Sequence, residues 1–192
     1  MGVERGKYNI VYADPPWEVK RGPDWSSNGP SKPLPYMTMS IAEIKALSVY
    51  DLAAPDAHLY LWVINKYLPS VFDILDSWGF GFSTMITWCK PPHGIGIGGT
   101  FVQTTEHLIF ARRGRLKAQK RFDSTWIYHR RPKRHSEKPA YFRDMIVQAS
   151  GDLPRVELFA VDKIEGWDSV GYSIDNRNIV DVLGEMYDRS TD

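Results

Sequence analysis

The sequence predicts an α/β sandwich built on a mostly parallel sheet, and three observations carry that prediction. Short β-type runs alternate along the chain with helical segments, the pattern of strands joined by crossover helices. At 192 residues, with 43% hydrophobic and 24% charged, the composition fits one compact domain, taken as residues 1–192. The first strand stops abruptly at Asp14-Pro15-Pro16-Trp17, because two prolines cannot continue a central strand. In open α/β sheets ligands sit beyond such strand ends.

The elements follow in order. Tyr8 to Ala13 reads as a strand. Residues 18–36 are rich in Pro, Gly and Ser and lack apolar periodicity, so they read as a long functional loop. Ser40 with Glu43 forms a capping box for a helix ending near Leu52. Ala57 to Ile64 reads as a buried strand, and Leu68 to Trp78 as an amphipathic helix stopped by Gly79. Ser83 to Lys90 and His107 to Ala111 are further strands, separated by a Gly/Pro-rich loop over 91–105. A brief β-type stretch, Thr125 to His129, precedes a helix that starts around Pro139 and stops at Gly151. Arg155 to Val161 is the last clear strand, and Asn178 to Tyr187 a terminal helix weakened by Gly184.

The formal net charge of +1 conceals an uneven distribution. Residues 112–138 hold eleven Lys or Arg against only Asp123 and Glu137, which fits either a polyanionic partner or simply a solvated charged face. Apolar runs such as Leu59 to Ile64 fall far short of the roughly 20 residues of a membrane span, so a cytoplasmic protein with no membrane association is expected. The single cysteine, Cys89, forms no internal disulfide. Gly94-Ile95-Gly96-Ile97-Gly98-Gly99 spells a dinucleotide fingerprint, but a β-type run follows it where a phosphate-binding helix is needed. The five histidines lack ligand spacing with Cys or carboxylates, so no metal is expected.

The motif suits one kind of chemistry. An amine on an aromatic ring is a poor nucleophile, since its lone pair is delocalised into the ring. A carboxylate at Asp14 and a rigid backbone carbonyl at Pro15 would accept its two N–H bonds and free that lone pair for an electrophile. Trp17 offers a π-face for a flipped base.

The motif resembles that of the MT-A70 family of N6-adenine methyltransferases, and further segments resemble the family in the same order. They are Pro35-Tyr36-Met37-Thr38-Met39-Ser40, Leu59-Tyr60-Leu61-Trp62-Val63, Thr105-Glu106-His107, His135-Ser136-Glu137-Lys138-Pro139, and Val156-Glu157-Leu158-Phe159-Ala160 with Gly166-Trp167-Asp168. The resemblance implies a permuted, Rossmann-like class I methyltransferase, an α/β/α sandwich that uses S-adenosylmethionine. It implies Asp14, Pro15, Pro16 and Trp17 as catalytic residues, and Asp14, Ser136, Lys138, Glu157 and Phe159 on the cofactor side. Lys138 would hold the methionine carboxylate and Glu157 the ribose.

Relatives commonly carry an arginine where this chain has Val161. Their Gly-Asn-Gln or Gly-Asn-Glu triplet appears as Gly171-Tyr172-Ser173, with Asn176 or Asn178 as substitutes. On the substrate side, Tyr36 and Glu106 would join Trp17. Arg112, Arg113, Arg115, Arg130, Arg131, Lys133 and Arg134 would meet phosphates, in DNA rather than RNA. Two readings compete: a protein-glutamine methyltransferase, and a catalytically silent nucleic-acid-binding subunit. The chain also leaves room for a homodimer or a heteromeric methyltransferase partner.

Overall fold

The computed structural model describes residues 3–18, 38–91, 100–132, 134 and 137–186. Tyr36, Lys133, Ser136, most of the 18–36 loop and the glycine run at 94–99 lie outside the described residues.

Seven strands form one sheet: β1 (Tyr8–Ala13), β2 (Ala53–Val63), β3 (Gly81–Cys89), β4 (Thr105–Arg113), β5 (Trp126–Tyr128), β6 (Arg155–Leu158) and β7 (Asp168–Val170). Their order across the sheet is β5-β3-β4-β2-β1-β6-β7. Only β4 runs against the rest, antiparallel to both β2 and β3. β1 lies between β2 and β6, so the chain order reverses there. That makes the carboxyl end of β1 the topological switch point, where an open α/β sheet leaves a crevice.

Strand alternation sorts the core into two layers. Val11 and Ala13, with Leu59, Leu61 and Val63, pack on one face against α1 (Ile41–Lys45), α2 (Val49–Leu52), α3 (Val71–Trp78) and α6 (Ile179–Gly184). Ile10 and Tyr12, with Tyr60, Trp62 and Trp88, pack on the other against Phe142, Met145 and Ile146 of α4 (Ala140–Ser150). The result is the expected α/β/α sandwich. No helix among the described residues is long and apolar enough to cross a membrane.

Several boundaries differ from expectation for physical reasons. The capping box at Ser40 and Glu43 is present, yet the helix breaks into α1 and α2. Ile44 and Leu47 share a helical face, whereas Val49 and Leu52 would point elsewhere on a continuous helix. All four are buried, and the turn at residues 46–48 makes that possible. β2 begins at Ala53, earlier than expected, with Pro55 and Asp56 exposed in an irregular stretch where its register with β1 shifts. A 3₁₀ turn, Asn65–Ser70, holds Pro69, and α3 follows it. Gly79 ends α3 at φ 73°, a left-handed cap that also leaves room for the Tyr50 ring. β6 stops at Leu158 because Phe159 turns at φ 64° and Ala160 donates its N–H to the Val170 carbonyl. Two short elements have no counterpart in the sequence reading: β7 and α5 (Tyr172–Asp175).

Candidate active site

Strand direction gathers the site. The carboxyl ends of β1, β2, β3 and β6 share one edge of the sheet, and the reversed β4 contributes its amino end there. Asp14 follows β1, Trp62 lies near the end of β2, Lys90 follows β3, and Glu106 opens β4. Lys138 arrives just ahead of Pro139, the N-cap of α4.

These residues form a row of alternating charge. Lys138 Nζ donates to Asp14 Oδ2 at 2.6 Å and lies 3.4 Å from Glu106 Oε2; Lys90 Nζ donates to Glu106 Oε1 at 2.5 Å. The Lys138 ammonium sits 5.2 Å from the centre of the Trp62 ring, and Lys90 5.0 Å from Trp88. The Trp62 indole N–H is in turn fixed by the Tyr12 hydroxyl at 2.6 Å. Burial pushes the Asp14 carboxyl above its ordinary range, against the pull of Lys138. Burial draws Lys138 down, but Asp14 and Glu106 outweigh it and hold the ammonium above its ordinary value. For Glu106 burial acts upward, and the two lysines outweigh it and hold the carboxyl low. The site thus presents a desolvated carboxylate whose proton affinity depends on one lysine.

The backbone after β1 is held closely. The Trp17 N–H donates to the Pro15 carbonyl at 2.8 Å, and the Met39 N–H to the Pro16 carbonyl at 2.9 Å. One lone pair of the Pro15 carbonyl is therefore engaged, and among the described residues the other has no donor. Trp17 sits largely in the core. Only 5% exposed, it stacks on Tyr67 with ring centres 5.1 Å apart and donates its indole N–H to the Trp62 carbonyl at 3.2 Å. Tyr67 covers one face of the ring, which braces the motif against the core.

Glu157 also finds a different partner. Arg143 grips both of its oxygens, Nε at 2.7 Å and Nη2 at 2.6 Å, with the Glu157 side chain only 8% exposed. That pair ties α4 to β6 and takes one lone pair on each oxygen of the carboxylate expected at a ribose. Phe159 makes the left-handed turn beside the motif, where the Asp14 N–H approaches the Leu158 carbonyl at 3.5 Å. Asn176 caps α5 at φ 58°, exposed beyond β7 on the same side. Val161 and Tyr172 are both exposed.

The basic segment is divided. β4 runs away from the site, so Arg112, Arg113 and Arg115 lie at the opposite edge, roughly 20 Å from Glu106 along the strand. There the Arg113 guanidinium stacks on Tyr50 at 4.1 Å and donates to the Tyr50 carbonyl, a contact that packs it against α2. β5 then runs back parallel to β3 and returns Arg130 and Arg131 to the site edge, both exposed. Arg134 pairs with Asp162.

The family model for MT-A70 matches residues 8–173. The chain belongs to the MT-A70 family. It is a methyltransferase, and two curated relatives agree. One is a type II methyltransferase, M.MunI, from Mycoplasma sp, 28% identical, with 96% of this chain and 85% of the relative covered. The other is an N(6)-adenosine-methyltransferase MT-A70-like protein of Drosophila melanogaster, 27% identical, with 92% of this chain but 28% of the relative covered. The MT-A70 match opens at the first residue of β1 and closes in α5, so every charged group of the row lies within it.

The sequence reading missed Lys90, Trp62, Tyr67 and Arg143 as parts of the site. Lys90 was legible in principle: pairing two neighbouring strands as a hairpin sets Cys89 opposite Thr105 and brings Lys90 beside Glu106.

Proposed function

We propose that this chain transfers the methyl group of S-adenosylmethionine to the N6 amine of adenine in a nucleic acid, DNA in preference to RNA, as a single cytoplasmic domain. The observation that carries the reading is the Asp14 carboxylate at the switch point, partly buried and held 2.6 Å from Lys138. The near full-length match to a type II methyltransferase and the adenosine-N6 activity named for the second relative support it.

The donor's amino-acid end carries one carboxylate and one ammonium, and the residues present fit it. Lys138 would face the carboxylate and Asp14 the ammonium, with Phe159, Ser136 and Asn176 as further contacts. Glu157 would meet the ribose hydroxyls with the lone pairs that Arg143 leaves on its two oxygens. Once bound, the donor supplies an electrophilic methyl on a cationic sulfur.

The protein's own part is positional. Asp14 accepts one N6–H and the free lone pair of the Pro15 carbonyl accepts the other, which localises the nitrogen lone pair. As the N–C bond forms, positive charge develops on N6, and the Asp14 carboxylate stabilises it and takes the departing proton. Glu106 keeps Lys138 protonated and in place from the side away from Asp14.

The test is transfer of labelled methyl from S-adenosylmethionine to matched single- and double-stranded DNA and RNA, with mass spectrometry of the nucleosides. N6-methyladenine that disappears with Asp14→Ala is the expected result, and the best substrate names the polymer. Transfer that survives in Asp14→Ala, or no transfer to any polymer, rejects the proposal; label on glutamine would identify the protein-directed alternative.

A further inference from the structure

The described surface exposes two large aromatic side chains on a very short strand. Trp126 is 64% exposed and Tyr128 61%, although β5 has only three residues and pairs with β3 alone. Ile127 between them packs into the α4 layer, so both rings project from the opposite face. The backbone that carries them is held firmly. Ser124 Oγ accepts the Trp126 N–H at 3.1 Å and donates to the Trp126 carbonyl at 2.8 Å. The Thr87 N–H donates to Thr125, and the Trp88 indole to the His129 carbonyl. Two residues along a strand separate the rings by about 6.6 Å, close to twice the 3.4 Å rise of stacked bases.

Charge decides what such a surface receives. Arg130 and Arg131 follow directly, exposed and without an ion pair among the described residues. Carboxylates number two in the whole 112–138 segment, against eleven cations. Two rings bury about 150–250 Å² each at most, well short of the roughly 800 Å² per partner that a stable protein interface needs. From β5 to β1 the sheet spans four strand spacings, about 19 Å. A strand of nucleic acid seated at Asp14 therefore reaches β5 within a few nucleotides.

We infer that Trp126 and Tyr128 form a stacking platform for unpaired bases flanking the target adenine, with Arg130 and Arg131 on the adjoining phosphates. The inference rests on the proposed nucleic-acid activity and makes the productive substrate locally single-stranded. A paired duplex keeps its bases stacked on one another and presents no free π-face to the platform.

The experiment measures binding of a fluorescent single-stranded oligonucleotide and its duplex by anisotropy, together with methyl-transfer kinetics. It uses the full chain and its Trp126→Leu, Tyr128→Leu and Trp126→Phe variants. Leucine keeps apolar bulk and removes the π-face, and at such exposed positions it leaves the fold intact, checked by thermal unfolding. Each leucine variant is expected to weaken single-strand binding by about 5- to 150-fold, raising KM with kcat little changed, while Trp126→Phe stays close to wild type. Duplex binding changes far less. Leucine variants that bind the single strand like wild type, while wild type still methylates, overturn the platform and leave the proposed activity standing. A change of oligomeric state in Trp126→Leu with binding unaltered overturns it in favour of a contact between copies. Wild-type protein that neither binds nor methylates any oligonucleotide overturns both.

Discussion

Lys138→Met isolates the electrostatic dependence of the site. The substitution removes the cation 2.6 Å from Asp14 and 3.4 Å from Glu106, and retains an unbranched chain to pack over Trp62. Glu106 keeps Lys90 at 2.5 Å, so the loss falls on Asp14. An adjacent opposite charge lowers a carboxyl pKa by about 1–3 units, and burial already pushes Asp14 upward. The acid limb of the methyl-transfer rate profile, which in the proposed mechanism follows ionisation of Asp14, should therefore move to higher pH. At a fixed pH below the new limb, each unit lowers the rate about tenfold. Removing one partner of a buried pair costs about 3–5 kcal/mol, but Asp14 is 29% exposed and can protonate instead. A loss near about 2–3 kcal/mol in urea unfolding follows. Initial rates at saturating donor across about pH 5–9 separate this effect from any weakening of donor binding, which appears in KM at every pH. An acid limb at the wild-type pH, with the rate merely scaled down, would refute the claim that Lys138 sets the ionisation of Asp14.

Glu106 gives a stability prediction with a definite sign. Its carboxyl is held below the ordinary value, so its contribution is complete above the unfolded pKa and is lost as pH falls through the folded one. The difference in urea stability between wild type and Glu106→Gln should be widest near neutrality and close below about pH 4; a constant difference contradicts it. For the divided basic segment, Arg130→Ala and Arg131→Ala should each weaken oligonucleotide binding and reduce its salt slope by about 1. Arg113→Ala should leave the slope unchanged and lower stability, as its stacking on Tyr50 requires. Gly171→Ala places a Cβ 2.2 Å from the Ala160 carbonyl oxygen and 2.7 Å from its nitrogen. The backbone cannot yield cheaply there, and a loss of about 1–3 kcal/mol or more is expected on thermal or urea unfolding.

Much of this architecture is legible from residues alone, for reasons that also explain the failures. Proline after Ala13, glycine after Trp78 and proline before Ala140 are local stops and starts, and all three boundaries stand in the structure within a residue. Direction is not local. Nothing within Thr105–Arg113 says that β4 runs against its neighbours, and that one fact moves Arg112 and Arg113 to the far edge and Glu106 to the near one. β7 escaped because three residues carry no usable alternation, and its only ladder is to β6. The placing of Asp14 just after a strand and of Lys138 just before a helix was readable locally. The Glu157–Arg143 pair was not, because the packing of α4 on β6 chooses it.

The central place of β1 has a consequence for how the molecule is made. Its neighbour on one side, β2, is synthesised soon after it, but the residue opposite Ala13 on the other side is Leu158, about 145 residues further along. At about 5–20 residues per second a ribosome takes some 7–30 s to supply it. Throughout that interval one flank of β1 carries open hydrogen-bonding groups, Asp14 waits for Lys138, and the strand that will become the middle of the sheet is its edge. The Asp14-Pro15-Pro16-Trp17 segment is thus translated well before β6 and gains its final rigidity only once β6 closes against β1.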